Sequence, residues 1–367
     1  MPVYSATALQ EFATQLFIAA DVPAEEAEIV AASLVEANLR GHDSHGVMRI
    51  ADYILQIRIG RLVPRAELLV RAETPAMLAA DGQFGFGQVQ ARRLMQRLMR
   101  KADNVGIASG TLMRCGHIGR LGEWVELAAE RGYAALVTVN INGALRIVAP
   151  PGGTEPQIST NPVAIGVPTG DGPLVLDIST SVVANGKIRL ALAEGVPCPD
   201  GWLLDGDGNS TNDPTVRRAD PCGTIQPLGG AQAGYKGFGL GFMLDLLVGG
   251  LSGGFCPPQE DAAGCNNLLA IVWQPQRFAG IEHLLQQADE LIASTRGSRR
   301  KQGVKKIRRP GDRGREVREQ RLRDGIPFDE GNWQRLVKAA TELNVPVPPG
   351  NRHISGSPLS LRKSGPA

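Results

Sequence analysis

Residues 106–140 read GIASGTLMRCGHIGRLGEWVELAAERGYAALVTVN. The opening GIASGTLM (106–113) mixes small and apolar residues and predicts a strand. A glycine-punctuated loop, RCGHIG (114–119), follows. Leu121, Trp124, Val125 and Ala128 then recur at helical spacing, which predicts a helix over 120–131. YAALVTVN (133–140) is a short apolar run and predicts a buried strand. Strand, loop, helix and strand in succession is the alternation of an α/β sheet.

The alternation extends outward. LLVRAE (68–73), AMLAAD (76–81), VAIGVP (163–168), LVLDIS (174–179) and NNLLAIVW (266–273) read as further strands. Residues 87–102 and 280–295 read as helices, and 239–251 as a buried helix. The first 60 residues are helical only. Leu9, Phe12 and Leu16 share one face. Asp21 and Pro23 mark a second start, with Glu25 and Glu26 in its first turn and Gly41 at its end. A third helix carries Val47, Ile50, Ile54 and Ile57. Residues 196–234 are rich in Gly, Asp and Pro, with little periodicity, and read as an irregular excursion. Residues 332–343 read as a final helix and 350–367 as a disordered tail.

Composition excludes several classes. Of 367 residues, 43% are apolar and 21% charged, ordinary for a globular protein. The net charge of +2 gives no global reason to expect nucleic acid or membrane. No apolar run has the length of a bilayer span. MPVYSATALQEF (1–12) lacks the basic-then-apolar order of a secretory signal. The cysteines at 115, 198, 222, 256 and 265 are odd in number and never spaced CxxC. They predict neither disulfides nor structural zinc, and a reducing cytoplasm.

GHDSHGVMR (41–49) concentrates polar chemistry. His42 and His45 could share a metal, but Gly41 and Gly46 mark a junction and no third ligand lies nearby. Ser44 or Asp43 suits the cap of the third helix. On that helix His45, Arg49, Asp52 and Gln56 fall opposite the apolar face, with His45 and Arg49 one turn apart. A helix N-terminus disfavours an imidazolium, so His45 is suited to proton exchange. Arg49 offers a planar fork for a carboxylate. Together they suit a 2-oxo or 2-hydroxy acid; a solvated polar face is the competing reading. His117 sits between Gly116 and Gly119, where the backbone can approach a ligand and the next helix offers free amides. A second catalytic histidine, a phosphate cradle and a simple turn cap all fit.

Other motifs exclude more than they establish. DGQFGFGQ (81–88) and GFGLGF (237–242) are glycine-rich, but neither is a strand-to-helix turn with an acid some twenty residues on. A standard Rossmann domain is not supported. DGDGNSTND (205–213) resembles the front of a calcium loop, yet Ser210 and Val216 stand where that loop needs Gly and Glu; an Asx-rich turn is the better reading. Residues 296–323 hold thirteen Arg or Lys and three acids, Asp312, Glu316 and Glu319. Without interleaved aromatics and with Pro310-Gly311 punctuating it, the run suits a solvated helix plus a loop reaching an anionic cofactor at least as well as a nucleic-acid arm.

The chain resembles the malate/L-lactate dehydrogenase-like oxidoreductases, a group with a non-Rossmann nicotinamide-binding fold. The group includes ureidoglycolate and sulfolactate dehydrogenases, diketogulonate reductase and Δ1-piperideine-2-carboxylate reductases. The matching segments are RGHDSHGVMRI (40–50), DGQFGFGQ (81–88), GHIGRLGEW (116–124), APPGG (149–153), STNPVAIGVP (159–168), LDISTSVVANGKI (176–188), DGDGNSTNDP (205–214), PLGG (227–230), YKGFGLGF (235–242) and RRPGDRGRE (308–316). They cover roughly residues 5–345 in order.

The resemblance implies a mixed sheet with flanking helices and an N-terminal helical lobe. It implies a lobe over 1–65 carrying the Ser-His and Arg residues, and an α/β cofactor domain over 66–295. It also implies a basic segment and C-terminal helix packing back over 296–345, with a tail over 346–367. Ser44 and His45 match the family's proton-relay pair, and His117 the histidine that some members use as acid/base. Arg49 matches the substrate-carboxylate arginine, and Thr160 a residue near the substrate. His117, Ile118, Gly119, Arg120 and Leu121 match a cofactor-contacting loop. Ile178, Ser179 and Thr180 match a second cofactor segment; Asn142, Lys236 and Arg309 join them. No metal is implied. The late turn reads PGD where the family more often has PGE. NGKIR (185–189) carries no acid of the kind that imine-reducing members use.

The expected activity is hydride transfer between NAD or NADP and a small 2-oxo or 2-hydroxy acid. The alternative is reduction of a cyclic imino acid such as Δ1-piperideine-2-carboxylate or Δ1-pyrroline-2-carboxylate. The expected partners are a small carboxylate substrate and a second copy of the chain in a homodimer, with no nucleic acid and no membrane.

Overall fold

A computed structural model describes residues 2–256, 259 and 264–350. The chain begins with β1 (Val3–Tyr4), α1 (Ala6–Ala19), α2 (Ala24–Leu39) and α3 (Ile50–Arg58). Ser5 caps α1 by accepting the Ala8 amide at 3.2 Å. Then come β2 (Leu69–Thr74), β3 (Met77–Asp81), α4 (Gly87–Val105), β4 (Ile107–Cys115), α5 (Gly122–Ala129), β5 (Ala134–Asn140), β6 (Val163–Val167) and β7 (Leu174–Ile178). The predicted strands and the helix between β4 and β5 are therefore present.

The next elements are α6 (Asn185–Glu194), three two-residue strands β8 (Leu203–Leu204), β9 (Ser210–Thr211) and β10 (Thr224–Ile225), and α7 (Gly230–Asp245). The chain continues through β11 (Asn266–Trp273), α8 (Ile281–Gly297), α9 (Asp312–Asp324), β12 (Ile326–Pro327) and α10 (Glu330–Glu342). The part of the expected tail beyond residue 350 lies outside the described residues.

The main sheet has seven strands in the order β2-β3-β4-β11-β5-β6-β7. Only β3 and β4 run parallel; the other neighbours are antiparallel. A mixed α/β sheet is what the sequence predicts. Leu94, Met95 and Leu98 of α4 and Trp124 and Val125 of α5 bury against Leu78, Leu112, Val137 and Leu268 of the strands. Burying such side chains contributes about 1.5–3 kcal/mol each. A separate core joins Phe12, Leu16, Phe17, Leu34 and Ile50 of the N-terminal helices to Ile326, Trp333 and Leu336 near the chain's other end. A third small core holds Val183, Ile188, Leu203 and Ile225.

Three local expectations are corrected. The third helix begins only at Ile50; residues 43–45 and 47–49 form two 3-10 turns. Gly46 interrupts them in an extended conformation, because a β-carbon there would lie 2.1 Å from the Asn38 side chain. The cap is accordingly supplied by Asn38, whose Oδ1 accepts the Val47 amide at 2.8 Å. Neither Ser44 nor Asp43 caps the helix.

The excursion over 196–234 contains the small sheet β10-β8-β9, whose strands are too short to show a period. The predicted buried helix over 239–251 is the end of α7 plus a π turn, Leu246–Gly250. It is buried on one side only. Phe242, Met243 and Leu251 face outward, because an apolar composition does not reveal which face of a helix is covered.

Candidate active site

The 3-10 turn Asp43–His45 is held from two sides. Asn38 Nδ2 donates to Asp43 Oδ1 at 2.7 Å, and Arg321 of α9 forms an ion pair with the same carboxylate at 2.6 Å. Ser44 is covered by the start of α6, since a β-carbon on Gly186 would lie 2.7 Å from the Ser44 β-carbon. This anchoring fixes the turn where helix capping does not.

Its side chains meet the loop after β4. The His45 and His117 rings lie 5.3 Å apart between centroids. Ser44 Oγ is 3.0 Å from His45 Nδ1. The Tyr53 hydroxyl is 2.7 Å from His117 Nδ1, and Gln88 Nε2 donates to that hydroxyl at 3.1 Å. The Gly119 amide also donates to His117 Nδ1 at 3.3 Å. An amide donor at Nδ1 selects the tautomer with its proton on Nε2.

Arg49 Nε donates to the Ser44 carbonyl at 2.9 Å, and an Nη lies 3.6 Å from Asp52. These contacts aim the guanidinium while leaving donors for a ligand.

Both imidazoles are held neutral. Burial lowers His45 to about 4, and the charge of Arg49 adds to the effect. Burial and Arg49 also lower His117 well below the ordinary histidine value. Sequence reading credited a helix N-terminus with this; desolvation is the larger cause. His42 is also lowered to about 4, by burial and by Arg120. Tyr53 is raised to about 12 by burial, so its hydroxyl keeps its proton.

The segments expected to contact a cofactor converge on β7. Asp177 accepts the Gly122 amide at 2.8 Å, which seats the 117–121 loop against that strand. A β-carbon on Gly311 would lie 3.1 Å from the Val175 carbonyl, so the turn after Arg309 also touches it. Thr180 follows the strand and donates through Oγ1 to the Thr160 carbonyl at 2.9 Å. The buried Arg120 Nε and Arg309 Nη1 have no partner among the described residues. Unpaired buried guanidinium donors fit an anionic group such as a dinucleotide pyrophosphate.

Several cations of the basic run are paired with carboxylates, though only Arg309 among them is buried. Arg309 pairs with Asp312 and Asp171, Arg318 with Glu36, and Lys306 and Arg308 with Glu316. No group of three or more metal-ligating side chains occurs among the described residues.

Asn142 and Lys236 sit apart from this convergence, whereas Ser179 directly follows β7. Asn142 is buried, and its Oδ1 accepts from the Phe255 amide and from Asn267. Ser179 Oγ donates to the Ser181 carbonyl. Lys236 is exposed on α7, with Nζ 5.8 Å from the Tyr235 ring centroid.

Sequence reading missed Tyr53, Gln88, Asn38 and Arg321. Tyr53 had a signal: it lies four residues beyond Arg49, the same helical step that separates Arg49 from His45. Gln88 and Arg321 had none, because their roles depend on contacts across long sequence separations.

The comparisons with known proteins agree with this architecture. A profile described as malate/L-lactate dehydrogenase matches residues 4–337. Hydroxycarboxylate dehydrogenase B of Escherichia coli is 34% identical, covering 94% of this chain and 95% of that protein. The structure of malate dehydrogenase from Pyrococcus horikoshii superposes with a TM-score of 0.85 at 30% identity, covering 95% of this chain and 97% of the other. That of Δ1-piperideine-2-carboxylate reductase from Pseudomonas syringae gives 0.79 at 31% identity, covering 93% of this chain and all (100%) of the other. The chain belongs to the malate/L-lactate dehydrogenase family of oxidoreductases.

Proposed function

We propose that this protein moves a hydride between a nicotinamide dinucleotide, NAD or NADP, and the second carbon of a small 2-oxo or 2-hydroxy acid. The observation that carries the reading is the meeting of two neutral imidazoles beside one arginine. The dinucleotide supplies or accepts the hydride. Arg49 binds the substrate carboxylate, with Thr160 beside the substrate. Arg120, Arg309, Ile178, Ser179 and Thr180 belong to the cofactor's surroundings, with Ile118, Gly119, Leu121, Asn142 and Lys236.

The two histidines take different parts. His117 receives the Gly119 amide at Nδ1, which favours a hydrogen-bond donor at Nε2, aimed at the substrate oxygen. His45 can donate from Nδ1 to Ser44 Oγ and present a lone pair at Nε2. It is therefore the base that removes the hydroxyl proton in oxidation, and Ser44 orients it. Such a group contributes on the order of 100- to 10,000-fold in rate.

The second reading, reduction of a cyclic imino acid, is favoured by the likeness to the Pseudomonas syringae reductase. Against it, Lys187 rather than an acid follows the Gly186 contact with Ser44. The test is a panel of pyruvate, oxaloacetate and Δ1-piperideine-2-carboxylate, each with NADH and NADPH. Turnover of an oxo acid that His45→Ala abolishes supports the first reading. Turnover of the imine alone overturns it.

The same reading divides the chain into the helical lobe 1–65, the cofactor unit 66–295 and the returning segment 296–345. It includes a homodimer. Tyr235, Phe242, Met243 and Leu251 present a continuous apolar series on α7 and the turn after it, at 63%, 46%, 55% and 61% exposure. A face of this kind is normally covered by a partner. Light scattering that returns a monomer mass would overturn the dimer. Five free cysteines suit a reducing compartment such as the cytoplasm, and no described helix is long and apolar enough to cross a membrane.

A further inference from the structure

Beside the 117–121 loop lies a cavity of about 380 Å³, bounded by α1, α2, α4, α5 and α9. Ala6, Ile29, Val35 and Leu39 give it an apolar wall. Its polar groups are not all spent on one another. Arg318 is paired with Glu36 at 2.8 Å. Glu123 receives the Ser33 hydroxyl on Oε2 at 2.6 Å, while its Oε1 has no hydrogen-bond partner among the described residues. Arg92, exposed on the rim of the same cavity, forms no ion pair among the described residues. Burial raises the Glu123 carboxyl to about 7, although the Ser33 hydroxyl and the charge of Arg120 act to lower it.

We propose that this cavity binds a small zwitterion, with an ammonium group on Glu123, a short aliphatic body on the apolar wall and a carboxylate on Arg92. The half-buried Glu123 has a free Oε1 to accept from an ammonium group, and the exposed Arg92 suits the opposite end. The volume is that of a small-molecule site.

Occupancy is coupled to the cofactor loop. Glu123 lies in the first turn of α5, two residues after Leu121. Ser33 bonds Glu123 and also faces the loop, since a β-carbon on Gly119 would lie 3.1 Å from its hydroxyl. A ligand that draws Glu123 into the cavity changes what Ser33 and α5 present to residues 117–121. The site is therefore an effector site, separate from Arg49 and the two histidines.

The test is calorimetry of the full chain, without cofactor, against γ-aminobutyrate, δ-aminovalerate and ε-aminocaproate. At least one should bind once per chain, and Glu123→Gln and Arg92→Ser should each weaken it by about tenfold. Arg92→Ser changes an exposed side chain and keeps the test decisive if Glu123→Gln does not fold. No binding by any of the three, or unchanged binding in Arg92→Ser, overturns the site. In a second arm, the saturating zwitterion should shift NADH affinity by about fivefold in the wild type. An unchanged affinity overturns the coupling. Because calorimetry needs no cofactor, its outcome is separable from that of the cofactor reading.

Discussion

The Tyr53 hydroxyl lies 2.7 Å from His117 Nδ1, across 64 positions of sequence. α3 carries the phenol and the loop after β4 carries the imidazole, so this contact joins the helical lobe to the sheet. It also holds the ring at Nδ1, which under the proposed function leaves Nε2 for the substrate oxygen. Replacing Tyr53 by Phe keeps the packing against Phe17 and Phe86 but removes the hydroxyl. We expect kcat to fall by about tenfold, the equivalent of about 1.4 kcal/mol, with KM nearly unchanged. Wild-type kcat in a folded Tyr53→Phe enzyme would remove the phenol from the alignment of His117.

Arg49 tests substrate recognition by geometry rather than charge. Arg49→Lys keeps a cation but loses the planar fork and the Nε contact with the Ser44 carbonyl. KM for the oxo acid should rise by about tenfold or more, since a bidentate charge-assisted contact becomes a single one. A KM equal to that of wild type would show that the carboxylate is held elsewhere.

The pH dependence follows from the histidines. A free histidine titrates near 6.5, whereas His42 and His45 in the fold are lowered to about 4. As pH falls, the unfolded chain binds their protons first. Their contribution to stability is therefore complete above about pH 6.5 and is lost progressively toward pH 4. Urea unfolding across this window should show falling stability, with a shallower slope in His42→Asn. The acid limb of kcat/KM for hydroxy-acid oxidation should likewise lie nearer 4 than 6.5. A limb at 6.5 would identify a base other than His45.

Asp245 tests how the turn containing Thr160 is held. Its carboxylate accepts Asn140 Nδ2 at 2.7 Å and Asn161 Nδ2 at 2.9 Å. Asn161 has φ 27°, a backbone conformation that needs such support. Asp245→Ala removes one acceptor from each amide, while the Phe255 and Gly241 carbonyls keep the other, and should cost about 1–3 kcal/mol in chemical denaturation. Asp245→Asn should cost less, because its carbonyl oxygen can still accept one of them. Equal stability of all three proteins would mean that the network contributes nothing.

Much of the fold was legible in short stretches. The strands between 68 and 179, the strand at 266 and the helix carrying Trp124 each announce themselves by local periodicity. α6 and the strands β8 to β10 did not, because a two-residue strand has no period and a helix flanking a glycine-rich loop has a weak one. The candidate site residues divided in the same way. His45 and Arg49 stood out because polar groups cluster within nine positions, and His117 because glycines flank it.

Sequence alone determined the α/β class, the identity of the polar clusters and, through the ordered series of motifs, the family. Those properties depend on neighbours along the chain. Only the tertiary structure decided that His45 and His117 lie ring to ring, and that Tyr53 backs His117. Only it showed that Asn38 rather than Ser44 caps the turn, and that β7 gathers the segments around Arg120, Thr180 and Arg309. These depend on contacts between distant segments and on desolvation. Burial set by the whole fold, more than any helix terminus, keeps the two imidazoles neutral.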